Sequence, residues 1–297
     1  AVGGFAPRII GLNAETIYFG AHVDVEGVHD ELEAARQRAD ETNDTVLVSL
    51  EGKFFELHPR GAKMYRYRLT GSDFTLLVAS PFRKDKEGKE QKQTFELLPP
   101  VYVELSAEFT WREGYLNATL SVLSWIERVF GKAEKTILSR VDLTADIEGI
   151  DFTNDDFGRF VMRARRGRGF SADEMATLEY WGGKTSGFKF GGKGALQCRI
   201  YDKTREVPSH PDKQWFRPLW LRKGWDGERK IWRVEFQVRR EALKERDLND
   251  VESSLKSIQP LYKYLTEEWL TFRDRNLKDK TKRNWKKSES WKLLWGV

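Results

Sequence analysis

Three segments place carboxylates, cations and a tyrosine at every second position, the spacing at which side chains of an extended strand share a face. In SRVDLTADIEG, residues 139–149, Arg140, Asp142, Thr144 and Asp146 fall on one face and Val141, Leu143, Ala145 and Ile147 on the other. In QCRIYDKTRE, residues 197–206, the same parity groups Arg199, Tyr201 and Lys203, with the tyrosine between two cations. In KIWRVEFQVRR, residues 230–240, Arg233, Glu235, Gln237 and Arg239 oppose Trp232, Val234, Phe236 and Val238. Carboxylates on neighbouring strands are costly unless paired or bound to a cation, and hard oxygen ligands suit Mg or Mn. A tyrosine flanked by arginine and lysine suits attack on phosphorus, because the cations favour phenolate and neutralise the charge that builds up as the phosphoryl group is transferred. The same pattern also fits solvated faces of half-exposed strands whose carboxylates pair with nearby arginines, and alternation alone leaves both readings open.

The elements that would position these residues are legible in outline. Residues 16–25 alternate as a strand and 28–43 favour a helix; strand-like runs follow at 45–50, 64–69 and 74–79, then a charged hairpin tip at 83–93. After Pro99 and Pro100 alternation resumes over 101–111, and Leu116, Leu120, Leu123, Ile126 and Phe130 give 115–130 a helical period. The second half repeats this grammar: strand 137–147, helix 154–166, strands 177–181, 187–191, 197–203 and 230–239, and helices near 240–246 and 250–273, with a Pro-, Trp- and Arg-rich insertion at 208–227. The expected class is α+β, with antiparallel or mixed twisted sheets, flanking helices and two strand-helix halves. The expected divisions are an N-terminal half at 1–135 for DNA binding or scaffolding, a catalytic half at 136–275, and a basic tail at 276–297.

Composition narrows the classes. The chain has 297 residues, enough for about two domains, and its 39% hydrophobic and 33% charged content is that of a folded globular protein. No run approaches the roughly 18 apolar residues of a membrane span, the first ten residues lack an apolar signal core, and one cysteine cannot form an internal disulfide. A cytoplasmic protein without a membrane partner is expected. The net charge of +5 is concentrated: the last 27 residues hold nine basic and three acidic groups, which leaves the other 270 at −1. A polyanion is the partner this implies.

RVDLTAD, then GFKFGGKGALQCRIYDKTRE, then WRVEFQVRR resemble, in order and rough spacing across about residues 136–240, the rolling-circle replication initiators and related conjugative-element relaxases of the replication-initiation-factor family. The closing RDRNLKDKTKRNWKKSESWKLLW is similar to the Asn-, Arg- and Trp-rich end of some members, while no stretch before Lys135 matches a motif. The resemblance implies a metal-dependent tyrosine endonuclease that nicks and rejoins DNA at the origin of a plasmid, phage or integrative element. Tyr201 would attack a phosphodiester, leaving a 5′-phosphotyrosyl link and a free 3′-hydroxyl, with Arg199, Lys203 and Arg140 as the cations of the catalytic group. Asp142, Asp146 and Glu235 would hold Mg or Mn. The alternatives are a conjugative relaxase with the same chemistry and a non-catalytic origin-binding protein of the same fold.

The expected partners are single-stranded or melted origin DNA and duplex DNA, together with a host helicase, since no ATP-binding motif is present, and a second copy of the chain. His22, His29, His58 and His210 form no His-x-His pair, so carboxylates would have to supply any metal ligands. Tyr180, in TLEYW, reads as a packed aromatic rather than a second nucleophile, and Gly191, Gly192 and Gly194 as a hairpin turn. Candidate DNA contacts are Arg159, Arg163 and Arg166 on one helix face, Lys193 in the hairpin, and Lys282, Arg283, Lys286 and Lys287 in the tail. Trp285, Trp291 and Trp295 would either stack on unpaired bases or pack back on the body.

Overall fold

The computed structural model describes residues 6–84, 87–163, 176–181, 184–192 and 194–295. Its class is α+β, with large antiparallel strand arrays and flanking helices, as the alternation and helical spacing imply. Two compact units are each built from non-consecutive stretches: Ala14–Val141 with Arg239–Lys256, and Ala1–Asn13 with Asp142–Val238 and Ser257–Val297. Among the described residues no helix is long and apolar enough to cross a membrane.

The first of these units takes most of strand β1 (Arg8–His22), helix α1 (His29–Thr42), β2 (Val46–Leu50), β3 (Lys53–Leu57), β4 (Tyr67–Thr70), β5 (Phe74–Val78), β6 (Phe82–Lys84), β7 (Glu90–Lys92), β8 (Val101–Leu105), α2 (Ala107–Glu113) and α3 (Tyr115–Phe130). The strand order is β1-β8-β5-β4-β3-β2, every neighbour antiparallel, and β6 with β7 forms the charged hairpin. The sequence reading carried the strand of β8 on to residue 111, but it stops at Ser106, whose Oγ accepts from Phe109 N at 3.3 Å and caps α2. Helix α3 buries Ala118, Val122, Trp125 and Ile126; the Trp125 ring meets Phe55 and Phe74 at 5.5 and 5.2 Å, and its Nε1 donates to Leu50 O.

The second unit carries the motif strands: β9 (Lys135–Glu148) from Asp142 on, β10 (Phe160–Met162), β11 (Ala176–Trp181), β12 (Lys184–Phe190), β13 (Leu196–Asp202), β14 (Ile231–Arg239) and β15 (Leu270–Phe272). Their order is β11-β12-β13-β14-β9, with β10 and β15 paired separately. Gly191 turns β12 into β13 at φ +80°, where a Cβ would lie 2.4 Å from Leu196 O, so glycine is required there. Residues 141–148 of β9 and 231–238 of β14 are buried without a break. The polar faces of these strands are therefore interior, so the reading of solvated faces paired with arginines fails on exposure and holds on the pairing of Asp146 and Glu235 with arginines.

Two helix expectations are corrected. In place of a helix at 154–166, a 3₁₀ turn, Asn154–Arg159, leads into β10, because Phe160 joins an aromatic cluster with Phe152, Phe188 and Phe272. The long helix at 250–273 is broken into Val251–Lys256 and Gln259–Tyr264, followed by a π turn and β15; Pro260 lacks the amide hydrogen a continuous helix needs. The tail is docked rather than extended. Trp285 and Trp291 are buried, Trp291 Nε1 donates to Thr266 O at 2.9 Å, and its ring lies 5.7 Å from Phe160. These indoles pack on the body and are not offered to bases. Trp291→Ala should lower unfolding free energy by about 3–5 kcal/mol, read from urea denaturation, and deletion of 276–297 should lower the melting temperature further.

Candidate active site

Strands β13 and β14 pair antiparallel with Arg199 opposite Glu235 and Tyr201 opposite Arg233. Glu235 is thus the direct cross-strand neighbour of Arg199 and the diagonal neighbour of Tyr201, within reach of both. Tyr201 Oη donates to Glu235 Oε2 at 3.0 Å, Arg199 Nη2 donates to Glu235 Oε1, and Lys203 Nζ donates to Tyr201 Oη at 3.3 Å. Four of the residues singled out by parity therefore share one network. Gly187, opposite Tyr201 on β12, keeps it open: a Cβ there would lie 2.9 Å from Ile200 O and 3.1 Å from the Tyr201 Cβ.

Beyond β13 the chain turns at once. Asp202 caps the short helix Lys203–Glu206 by accepting from Arg205 N at 3.1 Å, and Glu206 lies one turn on, 2.5 Å from Lys203 Nζ. Lys213 Nζ adds a second donor to Glu206 at 2.6 Å. Lys203 is 1% exposed, so its ammonium is held by these oxygens, with the Phe216 ring 4.7 Å away. Burial works to raise the Glu206 carboxyl, but the two lysines outweigh it and bring the pKa from 4.5 to about 2. Burial also opposes ionisation of Glu235, and the charges of Arg199 and Arg233 prevail and hold it below the ordinary carboxylate value. The Arg199 guanidinium, disfavoured by burial, is held charged by Glu235, Tyr201 and Asp142.

The three carboxylates proposed as metal ligands do not form one set. Both Asp146 oxygens are committed: Arg233 donates from Nε at 2.6 Å and Nη2 at 2.8 Å, and Trp220 Nε1 adds a bond at 2.9 Å, all with negligible solvent exposure. Among the described residues no three His, Cys, Asp or Glu side chains gather closely enough to hold a metal ion. Asp142, 2% exposed, and Glu235 differ from Asp146 in that both act on the exposed-ended Arg199. Arg199 is thus bonded to Glu235 and is held charged in part by Asp142. One or two carboxylates plus substrate phosphate is the usual protein share of a Mg site; by the chemistry of their donors Asp142 and Glu235 are suited to such a share, and Asp146 is not, since both its oxygens are taken.

No protein-family model matches the sequence, and no curated protein matches it. Among solved structures, the rolling circle replication initiator protein of Geobacillus stearothermophilus superposes over 98% of this chain and 96% of its own, with a TM-score of 0.50 and 13% sequence identity. The two proteins are similar in fold. At that identity the likeness extends to the path of the chain and not to the chemistry of its side chains.

The remaining sequence candidates are placed as follows. Arg140 belongs to the other unit, where its guanidinium lies 5.1 Å from the Tyr18 ring centre. Arg159 bonds Asp156 and Asp274, and Arg163 bonds Glu268, so they form no row along a helix. Arg166 and Lys193 lie outside the described residues, as does the side chain of Tyr180. Lys286 pairs with Glu289 and Lys287 donates to Glu267 O, whereas Lys282 and Arg283 are exposed.

Three residues that matter here, Glu206, Trp220 and Glu148, escaped the sequence reading, and Arg233 was seen there only as part of a polar strand face. Glu206 holds Lys203, Arg233 and Trp220 hold Asp146, and Glu148, fully buried, is bound by Arg8 and Arg229. Glu148 continues the parity of Asp142, Thr144 and Asp146, and Glu206 follows Lys203 at i+3, so both carried a signal; Trp220 carried none.

Two outcomes follow. Asp146→Asn removes the negative charge that faces a buried guanidinium, and a loss of about 3–5 kcal/mol is expected in urea unfolding, whether or not divalent ions are present. Glu206 has its folded pKa below its unfolded value, so its contribution is complete above about pH 4.5 and is lost as pH falls toward 2. Denaturation across that window should show native stability falling more steeply than that of Glu206→Gln.

Proposed function

We propose that this chain is a DNA nicking-closing enzyme that initiates rolling-circle replication through a 5′-phosphotyrosyl intermediate. The observation that carries the reading is the Tyr201 hydroxyl, held between an ionised acceptor, Glu235 at 3.0 Å, and a buried ammonium, Lys203 at 3.3 Å. The similarity in fold to a rolling circle replication initiator supports the choice of substrate.

In this reading the Tyr201 proton passes to Glu235 Oε2 as the phenolic oxygen attacks phosphorus. The bond from phosphorus to the 3′-oxygen breaks, the 5′-phosphate stays on Tyr201, and the departing 3′-oxygen takes a proton from solvent, to which Glu235 in turn returns the tyrosine proton. One phosphodiester is exchanged for another, so the reverse attack reseals the strand. Lys203 offsets charge on the phenolic oxygen, and Arg199 turns from Glu235 toward a non-bridging phosphate oxygen. Asp142 and the Glu235 oxygen that Arg199 leaves, Oε1, would hold the divalent ion, which when bound polarises the scissile phosphate, while Oε2 stays available for the tyrosine proton. Asp146 has a structural part, fixing Arg233 and through it the field at Glu235.

Incubation with labelled single-stranded origin oligonucleotides should give an adduct that survives denaturant. Tyr201→Phe should abolish the adduct with DNA binding nearly intact, and Lys203→Met should slow its formation by about 10²-fold. Chelator should stop the reaction, and Mg or Mn should restore it in the native chain but not in Asp142→Asn. An adduct formed at full rate in chelator would transfer the whole charge role to Arg199 and Lys203; an adduct retained by Tyr201→Phe would refute the nucleophile.

A further inference from the structure

The tail's cations are not all alike. Lys286 and Lys292 both bond Glu289, at 3.1 and 2.8 Å, and Lys287 donates to a main-chain oxygen. Arg275 and Lys282 are exposed, and neither has an acidic partner within 4 Å among the described residues. Yet they converge: Arg275 Nη2 and Lys282 Nζ each lie 4.0 Å from the point a Cβ on Gly158 would occupy.

The frame around this point is fixed by bonds that leave the two cations out. Gly158 belongs to the 3₁₀ turn Asn154–Arg159. Within it Asp156 accepts from Arg159 and from Thr153, and Asp274, beside Arg275, accepts from Arg159. Asp155, the other acid of the turn, is exposed and pairs with neither cation. Arg159 Nε donates to Arg273 O at 2.9 Å and Arg273 N to Arg159 O at 3.1 Å, which ties the start of the tail to the turn. On the far side, Trp285 N donates to Lys282 O and Trp285 Nε1 to Asp279 O at 2.7 Å.

Two like charges held over one point without an acid repel each other, and an anion placed between them relieves that repulsion. A guanidinium offers paired donors to phosphate oxygens and an ammonium a compact charge. Glycine beneath them lets an anion approach the main chain with no side chain in the way. We infer that Arg275 and Lys282, over Gly158, form a clamp for one backbone phosphate of DNA. The inference rests on the proposed action on DNA and adds a phosphate-binding point on the unit that also carries the Tyr201 network.

The test compares full chains: native, Arg275→Ala with Lys282→Ala, Gly158→Asp, and a charge-matched control, Lys278→Ala with Lys280→Ala. At Gly158 a Cβ meets nothing closer than 4.0 Å and φ is not in the left-handed region, so aspartate is accommodated and sets its carboxylate between the cations. Affinities for a duplex and for a single-stranded oligonucleotide of one length are measured across salt concentrations, with covalent adduct formation at saturating oligonucleotide as a second readout. Both clamp variants should flatten the plot of log affinity against log salt by about 0.9 on duplex or about 0.7 on single strand, and weaken binding several-fold, with adduct formation at the native rate. The control pair should change the slope less. A native slope in both clamp variants, or an equal change in the control pair, overturns the clamp and leaves the Tyr201 reading standing. A native chain that binds neither oligonucleotide overturns both.

Discussion

Arg233 has no exposed surface and is surrounded by the residues on which the site depends. Asp146 gives it both oxygens, at 2.6 and 2.8 Å, and its charge also helps hold Glu235 ionised. Burying such a pair costs several kcal/mol of desolvation per ion, which two short bonds and a neighbouring indole offset. The neighbours come from the insertion at 208–227, whose helix Phe216–Arg222 supplies Trp220 to Asp146 and sets the Phe216 ring 4.6 Å from Arg233 and 4.7 Å from Lys203. One short helix thus covers the ion pair and also bounds the buried lysine beside Tyr201. Loss of Arg233 would unseat the fold of the unit and the acceptor for the tyrosine proton together.

The strands were legible because a period of two survives any context: β9, β13 and β14 lie within a few residues of their expected bounds, and the parity that grouped Arg199, Tyr201 and Lys203 with a facing Glu235 describes the observed network. Burial was not legible. Alternation shows that a strand has a polar face, but whether water or protein covers it is decided by segments far away in sequence, here the insertion carrying Trp220. Asp146, a metal ligand by the resemblance and an arginine partner by the other reading of the alternation, is found in an internal ion pair. The helix expected at 154–166 failed for a related reason. Phe157, Phe160 and Val161 fit a helical period, but Phe160 and Phe157 are taken up by Phe188 and Phe190 on β12.

Charge in the tail was visible as a sum and hidden as an arrangement. The sequence weighs Lys282, Arg283, Lys286 and Lys287 alike, yet folding removes Lys286 into a pair with Glu289 and Lys287 into a bond with Glu267 O. Burial of Trp285 and Trp291 does the sorting, since the indoles fix the main chain and so decide which lysines meet an acid. The same docking makes part of the expected basic tail, through Trp291, contiguous with Phe160 and Phe272 in the core of its unit.

Around Tyr201 the charges can be counted group by group. Asp142, Glu235 and Glu206 bring three negative charges, and Arg199, Lys203 and Lys213 three positive ones; Glu235 is held by Arg199 and Glu206 by the two lysines, while Asp142 acts on Arg199 through its charge. Those six groups are in balance before any DNA arrives. A phosphodiester adds one negative charge, and attack by a phenolic oxygen concentrates more on the non-bridging oxygens. Lys203 cannot move to meet it without exposing Glu206, because it is buried and bonded there, whereas Arg199 has a side chain 45% exposed and can leave Glu235. If Arg199 turns to the phosphate, Glu235 keeps the field of Arg233 but loses its direct partner, and Asp142 loses a positive charge it is coupled to, so both negative charges become costlier. In the proposed mechanism the two demands therefore arise together. The arginine is drawn to the substrate, and the carboxylates it moves away from are the ones whose charge and hardness suit a divalent ion.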